Sequence, residues 1–144
     1  MSDSEHRAGE PTGVRARVVV VSSSRTEKTD RSGRWIAESL TGAGHQVLSV
    51  TLVADDADDI ESEVLRAAAD GQSQVIILTG GTGVTATDVT PEAVYPLLQR
   101  DLPGFGEIFR ALSFEEIGPA AMWSRAFAGV AGPLAVFALS LIHI

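Results

Sequence analysis

The chain has 144 residues, 44% of them hydrophobic and none a cysteine, so one ordinary globular domain is expected, while disulfides, thiol nucleophiles and cysteine-held zinc are excluded. A net charge of −8 and an isoelectric point near 4.7 lack the basic face of a nucleic-acid binder, although a local cradle can still hold a small anion. The composition suits the cytoplasm, and the apolar tail 134–144 is far shorter than the roughly 20 residues of a membrane span.

Residues 1–14 form a polar lead-in, predicted disordered, with neither a secretory apolar region nor an Arg/Ser-rich amphipathic pattern. The β-branched run 17–21 reads as a first central strand opening into a polar loop, 22–28. Asp30-Arg31-Ser32-Gly33 then precedes a helical stripe of Trp35, Ile36 and Leu40, with Asp30 or Ser32 as the N-cap. Residues 47–53 read as a second strand ending at Asp55-Asp56. Ile60, Val64, Leu65, Ala67 and Ala68 give the next helix an apolar face, and Asp56, Asp58, Asp59 and Glu61 favour its positive end. That dipole does not require two consecutive carboxylates, which leaves one of Asp55 and Asp56 open to a functional role.

The unbroken apolar run 75–78 predicts a strand buried on both faces, and Thr79 marks its carboxyl end. Gly80, Gly81 and Gly83 follow. Without a Cβ they can adopt positive φ and free several N–H groups to meet an anion. Thr90 as N-cap and Pro91 at the first helical position begin a short helix to about residue 99. Asp88 sits on the loop between, where a carboxylate beside a phosphate cradle implies an intervening Mg²⁺ or a group that orients a polar substrate. The stretch has no P-loop lysine and does not fit GxGxxG.

Phe105, Phe109 and Leu112 predict a core-facing helix after Pro103. Residues 113–118 are expected to break it, and the alanine-rich stretch 119–127 is expected to be helical. Ser124-Arg125 stands out there, since the arginine could pair with a carboxylate or a bound phosphate. Leu134 to Leu139 is the last strand. His6, His45 and His143 show neither triad nor metal spacing. Alternating strands and helices predict an α/β fold with a mainly parallel sheet and helices on both faces. Phe105, Phe109, Phe114 and Trp123 exceed what one small core readily absorbs, and some of them are expected to form a subunit interface in a trimer.

The stretches TGGTGVTATDVTPEAV, LPGFGEIFRALSFEEIG and AAMWSRAFAGV, in that order, resemble the MoaB/Mog family of molybdenum cofactor biosynthesis proteins, and the likeness runs from about residue 17 to 139. The resemblance implies a three-layer α/β/α molybdopterin-binding fold over residues 15–139, commonly trimeric, whose active members adenylylate molybdopterin with ATP and Mg²⁺. It also implies the next enzyme of molybdenum cofactor assembly as a partner. A non-catalytic molybdopterin-binding protein of the same fold is the alternative.

By this likeness Asp55 and Asp88 match the family's catalytic aspartates and would hold Mg²⁺. Thr79, Gly80, Gly81, Thr82 and Gly83 would contact nucleotide or pterin phosphates. Ser113, the Ser124-Arg125 pair, and Asp30, Ser32 and Gly33 of the D-x-S-G match would complete the binding site. Three departures stand out: the first loop reads Ser22-Ser23-Ser24-Arg25 where many members carry an aspartate after the first serine, Ala54 replaces a usual proline, and residues 140–144 replace a Pro-Gly turn and terminal helix. The last departure marks 140–144 as an atypical tail, truncated or foreign.

Overall fold

Strand β1 (Arg15–Val21) lies between β2 (Gln46–Val53) and β3 (Val75–Thr79), parallel to both, with Val18 opposite Val50 on one side and Ile77 on the other. The computed structural model describes residues 13–24 and 30–140. Most of the lead-in, part of the first loop, His6, His143 and residues 141–144 lie outside the described residues. Helix α1 (Ser32–Gly42) joins β1 to β2, and α2 (Ala57–Ala69) joins β2 to β3. Beyond β3 come α3 (Thr90–Val94), a 3₁₀ turn (Tyr95–Leu97), the two-residue strand β4 (Arg100–Asp101), α4 (Pro103–Ile117) and a second 3₁₀ segment (Gly118–Trp123). Strands β5 (Phe127–Ala131) and β6 (Leu134–Leu139) close the sheet in the order β2-β1-β3-β6-β5-β4.

The sheet is therefore mixed. β2, β1, β3 and β6 run parallel, as expected, while β5 and β4 form an antiparallel edge. Val19, Val21, Ile76, Leu78, Val136 and Ala138 project from one face into a core shared with Ile60, Val64 and Ala67 of α2 and Ala93 and Val94 of α3. Each buried Val, Ile or Leu among them contributes about 1.5–3 kcal/mol. The alternate residues face α1 and α4: a Cβ on Gly33 would meet Val20 and Val50, and the Phe105 ring meets Phe137 edge-on at 5.2 Å. The three-layer architecture follows from this alternation.

Several local expectations are corrected. Thr90 is the first helical residue of α3, not its N-cap; it is fully buried and its hydroxyl donates to Gly80 O at 3.0 Å. The α-helix of that region stops at Val94, because Pro96 cannot supply the next helical N–H and the chain tightens to 3₁₀. Arg31 occupies the N-cap of α1, although the Asp30 carboxylate still accepts from Gly33 N at 3.0 Å. Asp56 caps α2 by accepting from the N–H groups of Asp58 and Asp59 at 2.9 and 3.0 Å.

Helix α4 runs unbroken through Ser113 to Ile117 and ends where Gly118 takes φ 70°. Only Gly106 of that helix is buried, so Leu112 does not face the core. Residues 119–127 are not α-helical: Pro119 opens the 3₁₀ segment, and Phe127 begins β5, stacked on Tyr95 at 4.4 Å. Trp35 and Leu65, assigned to core stripes by periodicity, are 45% and 48% exposed. Among the described residues no helix is long and apolar enough to cross a membrane.

Candidate phosphate-binding site

At the carboxyl end of β3 the backbone turns sharply. Gly80 donates its N–H to Leu139 O at 3.1 Å and takes φ 103°; Gly81 follows with φ 69°. A Cβ on Gly80 would meet the Val21 carbonyl, and one on Gly81 would meet Thr90 Oγ1, so both positions require glycine on two grounds. The loop then closes on itself: Asp88 N donates to Thr85 O at 3.1 Å, while Thr85 N and Oγ1 donate to Asp88 Oδ2 at 3.0 and 2.7 Å. Both bonds fall on one carboxylate oxygen. Among the described residues Asp88 Oδ1 has no hydrogen-bond donor.

The carbonyls of Gly80, Gly81, Thr82 and Gly83 are all occupied, by Thr90 Oγ1, Thr90 N, Arg125 N and Arg125 Nε at 3.0, 3.0, 2.7 and 2.7 Å. The N–H groups of Gly81, Thr82, Gly83 and Val84 have no hydrogen-bond acceptor among the described residues. Of the four residues Thr82 is fully buried, Gly81 and Gly83 are half-buried and Val84 is exposed, so the unpaired groups run from the protein interior to its surface. Such a run is a ready anion site.

A cavity of about 610 Å³ opens over Gly81, Thr82 and Gly83, a size that suits a small-molecule ligand. Gly80, Gly81, Thr82, Gly83 and Asp88 line one side; Trp35, Phe109, Leu112 and Trp123 give apolar walls; Ser113, Ser124, Ser140 and Glu116 supply polar groups. Among the described residues no lysine or arginine lines it. Its two lining carboxylates are Asp88 and Glu116, and the loop N–H groups are the donors it offers an anion.

The other predicted residues take different positions. Thr79 is fully buried at the end of β3, its Oγ1 without a partner among the described residues, and it is not among the cavity-lining residues. Asp30, Ser32 and Gly33 are buried where α1 begins and do not line the cavity. Asp55 is also outside the lining; it ties the loops after β1 and β2 together, accepting from Ser23 N and Oγ at 3.1 and 2.9 Å. Among the described residues no three His, Cys, Asp or Glu side chains form a metal cluster. Arg125 pairs with Glu92 at 2.6 Å and lies in a second cavity of about 590 Å³ with Arg110 and Tyr95. Burial, and then Asp101, push the Tyr95 phenol above its ordinary pKa.

Nine lining residues carry no sequence assignment to the site, Trp35, Glu116 and Ser140 among them. Trp35 had been placed in the core. Glu116 follows Ser113 by three residues on α4, a spacing that puts both on one helix face. Ser140 directly follows β6 and joins Thr82 Oγ1 at 3.0 Å and Ser124 Oγ through hydroxyl contacts. Its position beside the end of β3 was the available signal, obscured by reading 140 as the start of the tail.

A glycine loop at the carboxyl end of a central parallel strand, facing a cavity between helices, defines a ligand-binding protein of the open α/β class. Residues 17–141 match the family described as "Probable molybdopterin binding domain". A relative from Bacillus subtilis (strain 168), Molybdenum cofactor biosynthesis protein B, is 46% identical over 138 residues, covering 95% of this chain and 81% of its own. Molybdopterin adenylyltransferase from Pyrococcus furiosus is 37% identical over 132 residues, covering 90% and 76%. A crystal structure of Molybdenum cofactor biosynthesis protein B superposes with a TM-score of 0.86 at 44% identity, covering 91% of this chain and 82% of that one. The chain belongs to the MoaB/Mog family of molybdenum cofactor biosynthesis proteins and has its molybdopterin-binding fold.

Proposed function

We propose that the protein serves molybdenum cofactor biosynthesis by transferring an adenylyl group from ATP to the terminal phosphate of molybdopterin. The observation that carries this reading is the run of loop N–H groups without an acceptor among the described residues, three of them on residues that line an aromatic-walled cavity. The family membership and the relative named molybdopterin adenylyltransferase support the same reading.

A phosphate oxygen of the pterin attacks the α-phosphorus of ATP, the bond to the β-phosphate oxygen breaks, and pyrophosphate leaves. The loop N–H groups bind phosphate oxygens, while Trp35, Phe109 and Trp123 pack planar rings and exclude water. Binding both reactants beside one loop supplies the positioning such a transfer needs. No covalent enzyme intermediate is required.

The donor set fits Mg²⁺ bound chiefly by substrate phosphates and water, because that ion commonly takes only one or two protein carboxylates. Asp88 would hold it, through the oxygen that Thr85 leaves free. Mg²⁺ would neutralise phosphate charge that no lysine or arginine among the described lining residues offsets. Asp55 would act from the adjoining loop through its bonds to Ser23.

The test incubates the purified chain with molybdopterin, ATP and Mg²⁺ and measures adenylylated molybdopterin and pyrophosphate. Equimolar formation of both is expected. Tight molybdopterin binding without either product would replace this reading with a non-catalytic binding role.

A further inference from the structure

Every peptide bond among the described residues is trans, so each carbonyl and the following N–H point in opposite directions. Fixing one therefore aims the other. Thr90 Oγ1 on Gly80 O aims the Gly81 N–H, and Thr90 N on Gly81 O aims that of Thr82. Arg125 N on Thr82 O aims the Gly83 N–H, and Arg125 Nε on Gly83 O aims that of Val84. Two residues thus set four successive peptide planes.

Arg125 also reaches the far end of the loop, where its second terminal nitrogen donates to Asp88 O at 2.8 Å. Its remaining nitrogen meets both Glu92 oxygens, at 2.6 and 3.1 Å. Glu92 is about half exposed, and such a pair adds little stability by itself. Its value is directional, because it turns the guanidinium so that the other two nitrogens meet loop carbonyls. The segment carrying Arg125 is held in turn by Arg110, which donates to Ser124 O and Ala126 O at 3.2 and 2.9 Å. Gly106 makes room for this contact: a Cβ there would lie 2.6 Å from the Arg110 guanidinium and 2.7 Å from Ala126 O.

We propose that Thr90, Arg125 and Glu92 are positioning residues that hold the outward carbonyls of the glycine loop and so turn the N–H groups of Gly81 to Val84 into one preformed phosphate cup. This rests on the reading of the loop as a phosphate site. It differs from the ligand contact implied by resemblance for Arg125, whose guanidinium is engaged with Gly83, Asp88 and Glu92.

The experiment titrates inorganic pyrophosphate with Mg²⁺ into the isotope-labelled full chain and follows backbone amide resonances. In the wild type the amides of residues 81 to 84 should shift together. Arg125→Lys keeps the charge but loses the fork that reaches Gly83 O and Asp88 O, so at saturation the Val84 shift should collapse while those of Gly81 and Thr82 persist. Affinity should fall by about three- to ten-fold. Glu92→Gln should move Val84 in the same direction by less. Thr90→Val should strike the Gly81 amide selectively, and if that buried change loosens the core, Glu92→Gln decides.

Uniform weakening of all four amides in Arg125→Lys, with full shifts restored at saturation, would make Arg125 a charge contact and overturn the proposal. Absence of any loop shift in the wild type would overturn it together with the phosphate site. The selective pattern without adenylylation would uphold the positioning role and remove only the catalytic reading.

Discussion

Gly81 and Gly42 show how differently one residue type behaves at two positions. A side chain at Gly81 would hold φ 69° against the preference of L-residues and meet Thr90 Oγ1, whereas a Cβ at Gly42, in the last turn of α1, meets nothing within 4 Å. Left-handed backbone costs about 1–2 kcal/mol for an ordinary residue, and displacing Thr90 adds to it. Gly81→Ala should therefore lose about 2 kcal/mol or more in urea unfolding, while Gly42→Ala should be neutral or gain up to about 1 kcal/mol from helix propensity. Equal effects at the two sites would contradict the strained, crowded geometry assigned to the loop.

Among the elements, the junction from α2 into β3 has its own anchor. Asp70 accepts from Ser73 Oγ and N, from Gln72 N and from Arg17 Nε, and these bonds, led by Ser73, hold its carboxyl far below the ordinary carboxylate pKa. A depressed folded-state value means the ionised form stabilises the fold above the unfolded value of about 4 and that this stability is lost as pH falls toward the folded value. Asp70→Asn should lower Tm at pH 7, and the gap to wild type should narrow below about pH 4. A gap that stays constant from pH 3 to 8 would show that the charge does not matter. Neighbouring elements also explain what could be read from sequence. β1, β3 and β6 are apolar runs, legible because both faces of a central strand are buried. β5 was missed because its sequence is small and broken by Gly129, and that glycine is there for a tertiary reason: a Cβ would lie 2.5 Å from Arg100 O. Helical period placed Phe109 and Leu112 on one face of α4 correctly, but period alone cannot say whether that face meets the core or a cavity. The glycine loop and Asp88 were legible from local chemistry. The roles of Trp35, Glu116 and Ser140 depend on which elements meet across the sheet.

At the scale of the whole molecule, α4 and the following 3₁₀ segment carry Ile108, Phe114 and Met122, all more than half exposed. We propose that these exposed apolar side chains contribute to a subunit interface and that the assembly is a homotrimer. Light scattering should give a particle of three 15.1 kDa chains, and Ile108→Glu with Phe114→Ser, neither of which lines the cavity, should shift it toward monomers. A wild-type monomer at micromolar concentration would contradict the trimer. Asp88 is the carboxylate that the fold brings beside the glycine loop. Asp88→Asn keeps its shape but removes the charge, and losing one electrostatic contact of about 3 kcal/mol at a reacting centre costs about two orders of magnitude in rate. The decisive measurement is kcat for adenylylation in Asp88→Asn beside the Kd for molybdopterin: kcat should fall about 100-fold or more with little change in Kd, and wild-type turnover in this variant would contradict the role proposed for Asp88.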